Sequence, residues 1–176
     1  MATILTVCAS PAARSGTRAA LEQFVVPRLV RHGHRVTWLS VRDLPAGPLM
    51  EADAAEPAIR RAAAELAAAE GVVIGTPVYK ASFSGLLKVF LDVMPRDALS
   101  GKSVLPVATG SSPLHGLALD YALQPVLNSM GARHVVPGCY VTALNLKEGG
   151  TGPTALEHGA DRLLGSLGPA VPVRAA

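Results

Sequence analysis

Three short segments concentrate the residue types that can do chemistry. The first is Ser10-Pro-Ala-Ala-Arg-Ser-Gly-Thr17. Ser10, Ser15 and Thr17 bring hydroxyl donors, Arg14 brings a positive charge, and Gly16 lets the backbone approach a ligand closely. Placed at a helix start, where backbone N–H groups are free, this set suits a phosphate. It also suits an ordinary capped helix, with Thr17 as the N-cap. The second segment is Thr76-Pro-Val-Tyr-Lys-Ala-Ser-Phe-Ser-Gly85. Pro77 stiffens it, and Ser84 and Gly85 open the next helical pattern. Tyr79 and Phe83 can cover a planar ring, or they can fill a core or an interface. The third is Ala108-Thr-Gly-Ser-Ser-Pro-Leu-His115, small and polar enough for a flat ligand to rest on its backbone.

Other signatures fail on inspection. Gly101-Lys102-Ser103 mimics the end of a Walker A loop, but Arg96 stands where its first glycine belongs, and a strand follows rather than a helix. Gly110-Ser111-Ser112 lacks the second glycine of a nucleophile elbow, with Leu114 in its place. Cys8 and Cys139 sit in apolar runs, have no Cys-x-x-Cys or Cys/His spacing, and read as small buried hydrophobes.

The elements around these segments alternate. Apolar, strand-like runs cover Thr3–Ala9, Arg35–Ser40, Gly71–Thr76, Lys102–Ala108 and His134–Val141. Helical spacing covers Thr17–His32, Glu56–Ala69, Ser84–Met94, Leu114–Met130 and Thr154–Leu167. Asp43–Asp53 reads as an irregular connection, and the Pro- and Ala-rich tail beyond about residue 168 is expected to fray. Continuous rather than alternating apolar strands imply a sheet covered on both faces. The expected fold is therefore α/β: one flavodoxin-like domain over residues 1–176, with a doubly wound five-stranded parallel sheet of order 2-1-3-4-5. In such sheets ligands bind beyond the carboxyl ends of the strands, where the three segments fall. Pro125 lies inside the Leu114–Met130 pattern, so that helix must bend or bulge near Tyr121.

Composition narrows the class. Apolar residues make up 49% and charged residues 16%, which excludes disorder and suggests apolar surface buried in an oligomer. The net charge of +3 is carried by scattered basic residues, unlike a nucleic-acid stripe, though it favours phosphorylated ligands. No run is long enough for a membrane span or a signal peptide, so a reduced, cytoplasmic setting is expected.

The three loops in this order resemble the NADPH-dependent FMN reductase family, above all its alkanesulfonate-system flavin reductase branch. The residues that carry the resemblance are Ser10-Pro11 with Arg14, Ser15 and Thr17; Thr76-Pro-Val-Tyr-Lys80 with Ser84-Gly-Leu-Leu-Lys88; Leu99 with Gly101-Lys102; Ala108-Thr-Gly110; and Asp120-Tyr-Ala-Leu-Gln-Pro-Val-Leu127. The resemblance runs from about Thr3 to Tyr140. It implies that Ser10, Arg14, Ser15, Gly16 and Thr17 hold the phosphate of FMN. It implies that Pro77, Val78, Tyr79 and Lys80 line the isoalloxazine, with Ser82, Ser84 and Gly85 nearby, and that Thr109, Gly110 and Ser111 close the other side. Hydride from NADPH or NADH would reach the flavin with no catalytic acid or base and no metal, and a flavin-dependent monooxygenase of organosulfur metabolism would receive the reduced FMN. A homodimer or homotetramer with Tyr121 in a wide helical turn at a subunit contact is also implied. Two alternatives use the same fold: an FMN-retaining quinone, azo-dye or metal-ion reductase, and a flavodoxin-type electron carrier or flavin sensor, which +3 disfavours because such carriers are usually acidic.

Overall fold

The computed structural model describes residues 1–146 and 150–167. The expected frayed tail lies outside the described residues. The chain runs β1 (Thr3–Cys8), α1 (residues 16–31), β2 (Arg35–Ser40), α2 (Ala46–Met50), α3 (Pro57–Ala68), β3 (Gly71–Tyr79), β4 (Ser82–Phe83), α4 (Gly85–Val93), β5 (Ser103–Gly110), α5 (residues 113–129), β6 (His134–Val135), β7 (Cys139–Thr142) and α6 (Gly152–Ser166). The parallel sheet has the order β2-β1-β3-β5, with β6 and β7 both pairing the outer edge of β5. This is the expected doubly wound order, with β6 and β7 together as the fifth strand.

Alternation along each strand feeds two cores. Leu5, Val7, Val72, Ile74 and Val104 pack on one face beneath α2, α3, α4 and α5, through Leu49, Leu66, Phe90 and Leu123. Ile4, Cys8, Val73, Leu105 and Val107 pack on the other beneath α1 and α6, through Leu21, Leu29, Leu156 and Leu163. Both residue parities are apolar because both faces are covered, which is why the strands read as continuous apolar runs.

The structure departs from the sequence reading in four places. The expected strand His134–Val141 is split, with one extra residue between the pairs Val104↔Val135 and Val107↔Cys139. Pro137 has no N–H for the ladder, and neither does Pro106 opposite, so the edge bulges there. The connection after β2 contains the short helix α2. β3 continues past Thr76 to Tyr79 and folds back on itself through the antiparallel pairs Val78↔Phe83 and Tyr79↔Ser82. Finally, α1 contains a π turn, Leu21–Val25, of the kind expected in α5, where it spans Leu119–Leu123.

The bulge expected near Tyr121 is thus present, and α1 has a counterpart. In both, the residue before a proline bonds five residues back: the Val26 amide to the Leu21 carbonyl before Pro27, and the Gln124 amide to the Leu119 carbonyl before Pro125. A proline ring collides with the carbonyl four residues back and offers no N–H to it. Widening the preceding turn removes the collision.

The buried lysine of the rejected Walker-like segment has a structural task at the amino-terminal end of β5. Lys102 Nζ donates to the Ala67 and Ala69 carbonyls at 2.9 and 2.7 Å, closing the end of α3. Burial holds its amine below the ordinary lysine range.

Candidate functional site

The three segments meet at the carboxyl ends of β1, β3 and β5. Ser15, not Thr17, is the N-cap of α1: its backbone is extended and its Oγ accepts from the Arg18 amide at 3.1 Å. By helix geometry the amides of Gly16 and Thr17 then have no intrahelical acceptor. Arg14 is exposed and has no hydrogen bond or ion pair among the described residues. Ser10 is buried, and its Oγ has no partner among the described residues. A buried hydroxyl without a partner costs free energy unless something else supplies one. Unpaired amides, a free guanidinium and an unused hydroxyl around one turn suit the phosphate of FMN. Arg42, from the far end of β2, steadies the loop by donating Nε to the Pro11 carbonyl at 3.0 Å.

Thr17 starts inside the helix and is fully buried. Its Oγ1 lies 2.6 Å from Thr109 Oγ1, at the end of β5. To reach β5 the start of α1 must cross β3, and it does so over Gly75. A Cβ there would stand 2.5 Å from Leu21 Cδ1 and 3.2 Å from Thr17 Cγ2. In this conformation Thr17 offers no surface to a ligand.

The second segment is a tight hairpin. Lys80 and Ala81 form its turn with φ of 51° and 61°, the left-handed conformation that costs a side-chain-bearing residue about 1–2 kcal/mol. Such strain persists only where the surroundings impose it, and it gathers at ligand sites. The hairpin leaves Tyr79 half exposed and turns Phe83 onto the core. Pro77 and Val78 are buried within β3, so their side chains face the interior, and Ser82 pairs across from Tyr79. Ser84 is fully used: it caps α4 by accepting from the Leu87 amide at 3.1 Å and donates to the Ala9 carbonyl at 2.8 Å. That clamp ties the second segment to the end of β1. Gly85 is exposed beside it.

The third segment folds over Tyr140 of β7, a contact that the sequence pattern does not signal. Tyr140 Oη donates to the Ser112 carbonyl at 2.6 Å, and burial pushes its phenol above the ordinary range. A Cβ on Gly110 would stand 2.5 Å from that Oη and 3.1 Å from His115 Nδ1. The glycine is what lets the loop lie on the ring. Thr109 is buried, Gly110 half-buried and Ser111 exposed.

Cys8 and Cys139 are buried thiols pushed above the ordinary range by burial. No cluster of three metal-ligating side chains occurs among the described residues, and no described helix is long and apolar enough to cross a membrane.

A doubly wound sheet with this helix start after β1 and an exposed tyrosine at the end of β3 defines a flavodoxin-like α/β protein. The family model for NADPH-dependent FMN reductase matches residues 2–145, and the chain belongs to that family. It is 41% identical over 140 residues to an FMN reductase (NADPH) of Pseudomonas putida, covering 78% of this chain and 69% of that protein. It is 36% identical over 137 residues to an FMN reductase (NADPH) of Escherichia coli, covering 78% and 71%. Among solved structures, the apo form of an NADH:FMN oxidoreductase (EMOB) superposes with a TM-score of 0.89 at 36% identity, covering 99% of this chain and 94% of that one.

Proposed function

We propose that this chain transfers hydride from NADPH or NADH to FMN and releases reduced FMN to a flavin-dependent monooxygenase of organosulfur metabolism, in a cytoplasmic setting. The observation that carries the reading is the turn after β1, where the exposed Arg14 guanidinium, the Gly16 amide at the start of α1 and the buried Ser10 hydroxyl lack partners among the described residues. Arg14, Ser15 and Gly16 contact the phosphate of FMN there, with Ser10 beneath. Tyr79 covers the ring from the hairpin, beside Lys80 and the backbone of Pro77, Val78, Ser82 and Gly85. The backbone of Thr109, Gly110 and Ser111 bounds the other side. FMN supplies the hydride acceptor. The protein stacks and orients the two ring systems, a task that needs no side-chain acid or base.

Assembly completes the reading. Leu114, Leu117 and Tyr121 are exposed along α5, Tyr121 to 80%, and the β3–β4 hairpin packs against the same π turn. An exposed apolar helix face of this kind seldom stays uncovered. A second copy of the chain covers it in a homodimer or homotetramer, which places the contact next to Tyr79.

One experiment tests the reading. Stopped-flow oxidation of NADPH and NADH is followed with FMN and with riboflavin, on the wild type and on Arg14→Ala. Arg14→Ala should lose about 1.5–3 kcal/mol of FMN binding, with riboflavin little affected. Equal loss for both flavins removes the phosphate from this turn. A protein that purifies yellow and turns over without added FMN would instead be a flavin-retaining reductase.

A further inference from the structure

The three loops are joined by few side-chain bonds, and each bond has a distinct span. Ser84 clamps the β3 hairpin to the end of β1, and Tyr140 holds the β5 loop to the edge strand. Among the described residues, the bond between Thr17 Oγ1 and Thr109 Oγ1 is the side-chain bond that joins the first turn of α1 to the end of β5, between residues 92 apart in sequence and with β3 between their elements. Both threonines are at least nine-tenths buried, so water does not compete for the bond. Thr17 sits two residues after the N-cap, in the turn assigned above to the phosphate. Thr109 immediately precedes Gly110 and Ser111, whose backbone bounds the ring.

We infer that Thr17 and Thr109 are a positioning pair: their hydroxyl bond sets the phosphate turn in register with the ring-side loop, and neither hydroxyl needs to touch the flavin. The inference rests on the FMN reading above and assigns Thr109 an effect on a group it does not contact. If the two loops are coupled through one bond, the coupling is reciprocal. Breaking the bond from the β5 side must loosen the α1 turn, and so weaken the hold on the phosphate.

The test is equilibrium titration of the apoprotein with FMN and with riboflavin, followed by flavin fluorescence, on the wild type, Thr109→Val, Thr109→Ser and the Thr17→Val/Thr109→Val double variant. Thr109→Val should lose about three- to tenfold in FMN affinity and less in riboflavin affinity, so that the ratio of FMN to riboflavin affinity falls, because the phosphate contacts are loosened in addition to any change at the ring. Thr109→Ser keeps the hydroxyl and should keep the wild-type ratio of FMN to riboflavin affinity. The double variant has no hydroxyl of the pair left unpaired, so its melting temperature should recover relative to Thr109→Val. Its affinity ratio should stay low. That variant, with Thr109→Ser, keeps the question open to measurement if Thr109→Val folds poorly. An unchanged ratio in Thr109→Val, or equal losses for both flavins, overturns the inference. So does recovery of the ratio in the double variant, which would make the pair merely structural. A wild type that binds riboflavin as tightly as FMN overturns instead the phosphate reading on which the pair depends.

Discussion

Gly75→Ala adds one methyl group at the point where α1 crosses β3. The new Cβ stands 2.5 Å from Leu21 Cδ1, 3.2 Å from Leu21 Cγ and 3.2 Å from Thr17 Cγ2. Carbon atoms pack at about 3.5–4.0 Å, so the overlap with Leu21 is about 1 Å. Leu21 cannot yield into solvent, because it is fully buried in the core formed with α6. Overpacking of this kind costs about 1–3 kcal/mol. For a domain of this size each kcal/mol lowers the melting temperature by about 2–4 °C, so the expected fall is about 2–12 °C. The clash should also be specific to Leu21. In the Gly75→Ala/Leu21→Ala double variant the extra methyl has room, so the two losses should fall short of additivity by about 1 kcal/mol or more. Thermal melts of the four proteins supply the cycle, and a flavin titration of each reads the displacement of Thr17. A single variant within about 1 °C of wild type, or strictly additive losses, would refute the argument that α1 reaches β5 only over a bare backbone.

Gly110→Ala should drive Tyr140 off the loop and break its bond to the Ser112 carbonyl, lowering flavin affinity more than Tyr140→Phe, which loses only one hydrogen bond worth about 1 kcal/mol; parallel melts and titrations check this. Lys102→Met should cost about 1–3 kcal/mol in denaturant unfolding by leaving the Ala67 and Ala69 carbonyls unpaired, without changing flavin affinity. Because burial lowers the Lys102 amine in the folded state, the unfolded chain binds more protons between the lowered folded value and the ordinary lysine value. Wild-type stability should therefore rise with pH across that alkaline window relative to Lys102→Met, and a flat difference between the two would argue against a strained amine. Ala81→Gly should relieve a left-handed residue at the hairpin tip and raise the melting temperature by about 2–4 °C, corresponding to about 1 kcal/mol.

The strands and their order were legible because both faces of the sheet are covered and each strand is a bounded apolar run. The turn after β1 was legible from residue type alone. Its cap was not: Ser15 and Thr17 are equally good capping residues, and only the backbone shows that Thr17 belongs inside the helix. The β3–β4 hairpin was invisible because Lys80-Ala81 carries no glycine or asparagine to announce left-handed residues. Pro137-Gly138 and Pro27 did carry signals, of the same kind as the one read at Pro125. The contacts of Tyr140 with Ser112, Arg42 with Pro11 and Thr17 with Thr109 join residues far apart in the chain, and no local pattern encodes them.

The π turns bear on how this fold tolerates a change of length. A π turn holds one residue more than the α turn it replaces, so a single insertion is absorbed where it occurs and the helix beyond keeps its phase. In α5, Leu119, Leu123 and Leu127 remain buried on either side of the widened turn while Tyr121 is pushed out to the surface. A side chain can thus be added to the outside of the molecule with no residue of the interior re-registered. In α1 the widened turn lies between the sheet and α6 instead, and Leu21 and Val25 at its two ends stay buried. The proline that follows each turn makes the insertion hard to undo, because deleting one residue would close the turn against the proline ring. Removing Tyr121 cleanly from the chain therefore requires replacing Pro125 as well.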